Sequence, residues 1–288
     1  MKLAISSLVP FLLLCCVESF QMLRNISAKR SQKISMKNDM PFGDDPFPSI
    51  IKGCVASIQS AMKDGLTLLE IDFPPIQGRS DISLSETLDS NRNHARNIIR
   101  SFSAQNGDAL WAVFPDKNEA DLAAKSYFGK NLPAKLPFLI TSIKEAVNEA
   151  PPTANGCNLQ LVVQPGFNID EWIQLEDLKS VGNNVRRASG GEGEAAMVVL
   201  NGSLDKVCSG YYPRIFYPGL FSAKERFLKN FEPVYSIKKV QGGWIFRSYP
   251  DDWKVVRERR GNQPKVVGEC AVRPTYNDAV QILRSRSD

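Results

Sequence analysis

The chain has 288 residues, 43% of them hydrophobic, 23% charged and 9% aromatic, the balance of a globular protein of one large or two small domains. Nineteen Gly and 18 Pro without a period exclude collagen-like and low-complexity material. No apolar run reaches the roughly 18 residues that a multi-pass membrane protein would show.

Most of the net charge of +5 is carried by the first 40 residues, where six basic side chains face two acids. From residue 41 onward the balance is only +1, too little for a duplex nucleic-acid footprint. Lys2 precedes an apolar stretch over 3–17, too short to span a bilayer but suited to a signal-peptide core, with a cut expected between Ser19 and Phe20. Residues 20–38 hold five Lys/Arg, three Ser and no acid, the composition of an organelle transit segment. A signal peptide at 1–19 followed by a transit-like segment at 20–40 that opens on Phe20 resembles the bipartite plastid presequence of algae with complex plastids. Secretion with a basic propeptide is the alternative. Residues 41–48 read as a linker and 49–288 as a single α/β domain.

A helix is expected from Ile51, Cys54, Val55, Ile58, Ala61 and Met62, with Gly65 at its end. A strand over 66–73 stops at Pro74-Pro75, and a second helix runs from near Ser83 to Gly107. A strand over 109–114 enters Pro115-Asp116, a helix covers 118–127, and a Pro-bounded helical segment covers 136–149. A strand over 159–164, a helix over 170–181, a polar Gly-rich loop over 182–194 and a strand over 196–200 complete the alternation. That alternation implies right-handed crossovers and a Rossmann-like, mostly parallel sheet with helices on both faces. Past residue 230, segments 234–240 and 244–249 around Gln241-Gly242-Gly243 read as an antiparallel β-hairpin extension. A third strand over 253–258 and a short helix over 277–284 follow.

Chemistry is not written in a motif. His94 is the only histidine and sits mid-helix between Arg92 and Arg96, where it reads as a solvated surface residue. Cys54, Cys157, Cys208 and Cys270 are too scattered for a metal site and read as isolated buried thiols. No phosphate-loop fingerprint is present, and the glycines around Gly190 precede a strand instead of following one. No metal or cofactor is therefore expected.

In a parallel sheet, ligands bind beyond the carboxyl ends of the strands, at a switch in strand order. Asp72 and Pro74, Pro115 and Asp116, Gln164 to Gly166, and Asn201-Gly202 occupy those exits, either as a ligand or partner site or as turn chemistry alone. A second candidate is the crowd of aromatics Tyr211, Tyr212, Phe216, Tyr217 and Phe221, with Arg214 among them. It reads as a partner surface or as a loop folded over the sheet.

Several segments resemble one family. They are Ala61 to Gly65 leading to Glu70-Ile71-Asp72-Phe73-Pro74-Pro75, and Val113-Phe114-Pro115-Asp116 with Glu119-Ala120. Leu161-Val162-Val163 with Pro165, and Leu200-Asn201 with Leu204 and Val207, come next. Arg226-Phe227-Leu228, Phe231, Glu232, Tyr235, Arg247, Tyr249-Pro250 and Trp253 close the series. In this order the chain resembles the plastid and cyanobacterial domain of unknown function nineteen-ninety-five. The photosystem II assembly factor low-PSII-accumulation protein three carries that domain, and some plastid adenylate kinases bear it as an extra domain. The chain departs from the family's pattern at Gly202, where Pro commonly follows Asn, and in the long aromatic segment 211–221.

The resemblance implies a non-enzymatic plastid factor that binds a thylakoid or assembly protein, located in the stroma or peripherally at the thylakoid. It transfers no catalytic residue. The alternative is a small-ligand binding protein or enzyme, its nucleotide-like ligand held at Asp72, Asp116 and Asn201.

Overall fold

A computed structural model describes residues 47–74, 81–106, 109–129, 137–149, 156–259 and 264–285. The expected signal and transit segments lie outside the described residues. The first helix, α1 (Phe47–Lys63), begins inside the stretch read as a linker. It is followed by β1 (Leu68–Asp72), α2 (Leu84–Asn106), β2 (Leu110–Phe114) and α3 (Lys117–Phe128). Then come β3 (Leu139–Ser142), α4 (Ile143–Asn148), β4 (Leu159–Val163), α5 (Ile169–Ala188) and β5 (Ala196–Leu200). The short α6 (Leu204–Cys208) and α7 (Pro218–Arg226) lead to the strands β6 (Glu232–Val240), β7 (Gly243–Ser248), β8 (Trp253–Arg257) and β9 (Lys265–Cys270). Helix α8 (Tyr276–Ser285) is the last element.

One sheet runs in the order β3-β2-β4-β5-β1-β6-β7-β8-β9. The six strands from β3 to β6 pair in parallel, and β6 to β9 form an antiparallel meander. The hairpin strand β6 is therefore also the parallel neighbour of β1, and the C-terminal extension continues the sheet. Strands β2, β4 and β5 are buried along their whole length, as a sheet covered on both faces requires. On one face Trp111, Val113, Val162, Met197 and Val199 pack under α4 to α7. On the same face, farther along the sheet, Ile245, Trp253 and Val255 pack under Ala279, Val280 and Leu283 of α8.

Three expectations are corrected. The segment 136–149 is not one helix: Leu139–Ser142 pairs with β2 as the edge strand β3. The helix starts only at Ile143, where Ser142 and Glu145 form a reciprocal capping box. Residues 182–188 are not loop but the last turns of α5. Gly182 belongs there because a Cβ would lie 2.5 Å from the amide of buried Gln160, so the glycine lets helix and sheet approach. His94 is not solvated either; it is buried, with its ring 5.1 Å from Phe73 in an edge-on contact. The strand β9 was not anticipated at all. Among the described residues Cys54 and Cys157 are buried, Cys208 and Cys270 only half-buried, and these thiols are free.

Candidate functional site

Four strand ends open into one cleft of about 280 Å³. Asp72, Phe73 and Pro74 leave β1, Gln164 leaves β4, Asn201 and Ser203 leave β5, and Ile237 to Lys239 lie along β6. Helix α2 closes the cleft with Thr87 and Asn91. The sequence candidates Asp72, Pro74 and Asn201 thus line one cleft. Asp116 does not: its carboxylate caps α3 by accepting from the Glu119 amide at 2.9 Å. It stands at the exit of β2, where β3 and β4 fall on opposite sides and the winding of the chain reverses. The cleft lies instead beyond β4, β5, β1 and β6.

A relay of carboxamides builds the cleft floor. The Phe73 amide donates to Asn201 Oδ1 at 2.9 Å, and Asn201 Nδ2 donates to Asn91 Oδ1 at 2.7 Å. Asn91 Nδ2 in turn donates to Gln164 Oε1. Each carboxamide oxygen is thereby used inside the protein, which fixes all three amide orientations. The backbone is unusual at the same place. Gln164, Asn201 and Ser203 adopt φ of 47°, 51° and 50°, the left-handed region that costs non-glycine residues of order 1–3 kcal/mol each and recurs at ligand clamps. They are the non-glycine residues with positive φ among the described residues, and all three line the cleft.

Beneath the cleft the sheet carries a polar row. Glu70 and Asp72 on β1 face Arg273, which arrives from the segment after β9, at 3.6 and 3.8 Å. Arg273 and Arg247 both lie over the Trp253 ring, at 5.1 and 5.3 Å from its centroid, and Arg247 pairs with Glu232 at 2.6 Å. Glu70 is buried to 4% exposure and its Oε1 accepts no hydrogen bond. Burial pushes its carboxyl up to about 7; Arg273 opposes the shift and Asp72 adds to it. Burial likewise raises Asp72, helped by the Asp205 charge and opposed by Arg273 and Lys238. Lys238 is ion-paired to Asp205, and Lys239 to Glu258 at 2.5 Å.

Asn91 was not singled out in the sequence because it stands among the polar residues Ser90, Arg92 and Asn93. It is 1% exposed and central to the relay. Its one signal is position: Asn91 lies one helical turn below Leu88 and one above Ala95, on the apolar stripe. Glu70, a lone charge within an apolar strand, was a visible anomaly that the family resemblance quoted but no site reading used.

The aromatic segment has two faces. Tyr212 packs its ring 5.4 Å from buried Trp172 and 5.4 Å from Tyr217, and both tyrosines border the core under α5. Tyr211, Ile215 and Phe216 are 71%, 82% and 73% exposed, on the turn that joins α6 to α7. Arg214 is exposed beside them, its guanidinium 4.9 Å from the centre of the Phe221 ring. The segment is therefore folded onto the domain through one set of rings and presents another set outward.

Among the described residues no helix is long and apolar enough to cross a membrane, and no three His, Cys, Asp or Glu side chains gather to hold a metal. A search of curated proteins finds no match to the chain. The segments that carried the resemblance supply the β1 exit with Asp72 and Pro74, the β5 exit with Asn201, and Arg247 and Trp253 of the polar row. The model of a family described as a domain of unknown function (DUF1995) matches residues 47–281; that span holds every cleft residue, the aromatic turn and the whole sheet, and the chain belongs to this family.

Proposed function

We propose that this chain is a non-enzymatic plastid factor that binds a protein partner during photosystem II assembly or thylakoid biogenesis. Family membership supports a plastid location and an assembly-related role. The observation that carries the reading is the turn on which Tyr211, Ile215 and Phe216 stand exposed while Tyr212 and Tyr217 anchor it. Rigidly backed aromatics flanked by an arginine are the side chains that dominate protein interfaces. A single exposed apolar residue needs no explanation, but three on one held turn do.

A photo-crosslinker placed at Phe216 in plastids is expected to capture a thylakoid or assembly protein. The double substitution Ile215→Ser with Phe216→Ser is expected to abolish association with that protein, while unfolding stability stays within about 0.5 kcal/mol, as at other exposed sites. Equal recovery by the double variant, or no crosslink at native abundance, overturns the partner surface.

The leader carries the location. Residues 1–45 fused to a fluorescent protein are expected to reach the plastid interior of a diatom-like alga, and Phe20→Ala is expected to strand the fusion outside it. Secretion of both fusions alike removes the compartment from the proposal.

A further inference from the structure

The cleft at the strand exits is built more elaborately than turn chemistry requires. Ordinary strand ends use glycine or a single Asx turn to reverse direction. Here three non-glycine residues hold left-handed backbone around one opening, and a buried asparagine from α2 locks two of their side chains. The relay consumes acceptors and leaves N–H donors: Gln164 Nε2 ends the chain, and Asn91 and Asn201 each use one of two amide hydrogens in it. Ser203 stands at the N-cap of α6 yet makes no capping bond, so its hydroxyl is free to meet a ligand. Asp72 supplies an acceptor in the same cleft.

Charge narrows the ligand. Both lysines at the rim are already ion-paired, Lys238 to Asp205 and Lys239 to Glu258, and Asp72 faces Arg273. No uncompensated positive charge awaits a phosphate, and α6, five residues long, is too short for an anion-binding dipole. Shape narrows it further. The apolar wall residues Phe73 and Ile237 are each only 2% exposed, so no flat apolar platform is offered to a nucleobase. What remains is a small opening lined by amide donors, hydroxyls and one carboxylate acceptor.

The geometry points to a binding site for a small neutral polyol, of cyclitol or monosaccharide size, with its vicinal hydroxyls held between Asp72 on one side and Gln164 and Ser203 on the other. The site shares no lining residue with the aromatic turn and stands or falls apart from the partner-binding reading.

Calorimetric titration of the full-length chain with myo-inositol and with D-glucose tests it, with inorganic phosphate as the counter-probe. At least one of the two polyols is expected to bind saturably below about 10 mM, with affinity unchanged when sodium chloride is raised to about 0.5 M, because no ion pair forms. Asp72→Asn is expected to weaken that binding about tenfold through loss of a charged acceptor. Ser203→Gly, which relieves the left-handed backbone and keeps the fold, is expected to weaken it several-fold. Absence of saturable binding by both polyols, binding indifferent to both substitutions, or salt-sensitive binding of phosphate in their place overturns the proposal.

Discussion

Trp172→Ala is expected to lower the stability of the domain by about 3–5 kcal/mol, the cost of emptying a large buried aromatic site. For a domain of this size that is a fall of roughly 10 °C or more in the unfolding midpoint. Trp172 is 2% exposed and joins three parts of the molecule. Its indole N–H donates to the Gly202 carbonyl at the β5 exit at 2.8 Å. Its ring lies so close to Gly166 beyond β4 that a Cβ there would stand 2.4 Å from Cζ2. Its edge meets Tyr212 and so fixes the aromatic turn. Trp172→Phe keeps much of the packing but strands the Gly202 carbonyl, an expected cost of about 1–3 kcal/mol. Limited proteolysis is expected to cut the 211–217 turn faster in Trp172→Ala than in Trp172→Phe. An alanine variant as stable as the wild type, or equal cleavage in both variants, would falsify the account of the indole as the tie between strand exits and turn.

Glu70→Gln is expected to change the pH dependence of folding more than its resting stability in acid. The Glu70 carboxyl is raised from 4.5 to about 7 in the folded chain, by burial first. The folded state therefore holds a proton that the unfolded state has released across that window, and stability falls as pH rises through it. A shift of that size corresponds to about 3 kcal/mol between the ends of the window. Arg273, Lys238, Asp72 and Asp205 face the same group, and Asp72, also raised, adds a loss of the same sign that the substitution leaves in place. A neutral amide of the same shape needs no proton. Denaturant titrations at pH 5 and pH 8 are expected to show a steep decline for the wild type and a shallower one for Glu70→Gln, with the variant the more stable of the two at pH 8. Parallel declines in both proteins would place the titration elsewhere.

Much of the sheet was legible because its signals are local. The apolar runs Leu-Trp-Ala-Val-Phe at 110–114 and Leu-Val-Val at 161–163 are long enough to mark buried strands. The Gln241-Gly242 turn, with Gly242 at φ 86°, announced the β6–β7 hairpin. Strand β3 was hidden because Leu-Ile-Thr-Ser at 139–142 is too short to show a period and runs straight into a helix. Strand β9 carries only Val266 and Val267 as apolar neighbours around Gly268 and Glu269, so nothing local distinguishes it from loop. The α5 extension was misread because Gly182 looks like a helix stop until the buried Gln160 beneath it is known.

The sequence by itself determined the alternation of strand and helix, the Pro-, Gly- and Asn-marked exits and the family. It also placed Asp72, Pro74 and Asn201 at strand ends, because turn residues act within a few bonds of where they stand. Only the tertiary structure decided which exits meet. Inserting β1 between β5 and β6 brings Asp72 beside Lys238, 166 positions later in the chain, and leaves Asp116 capping a helix. Packing α2 across those ends buries Asn91, and also His94, which the sequence reading had placed in solvent. Strand order and helix placement follow from which apolar faces cover one another across the whole domain, and no short stretch of residues carries that information.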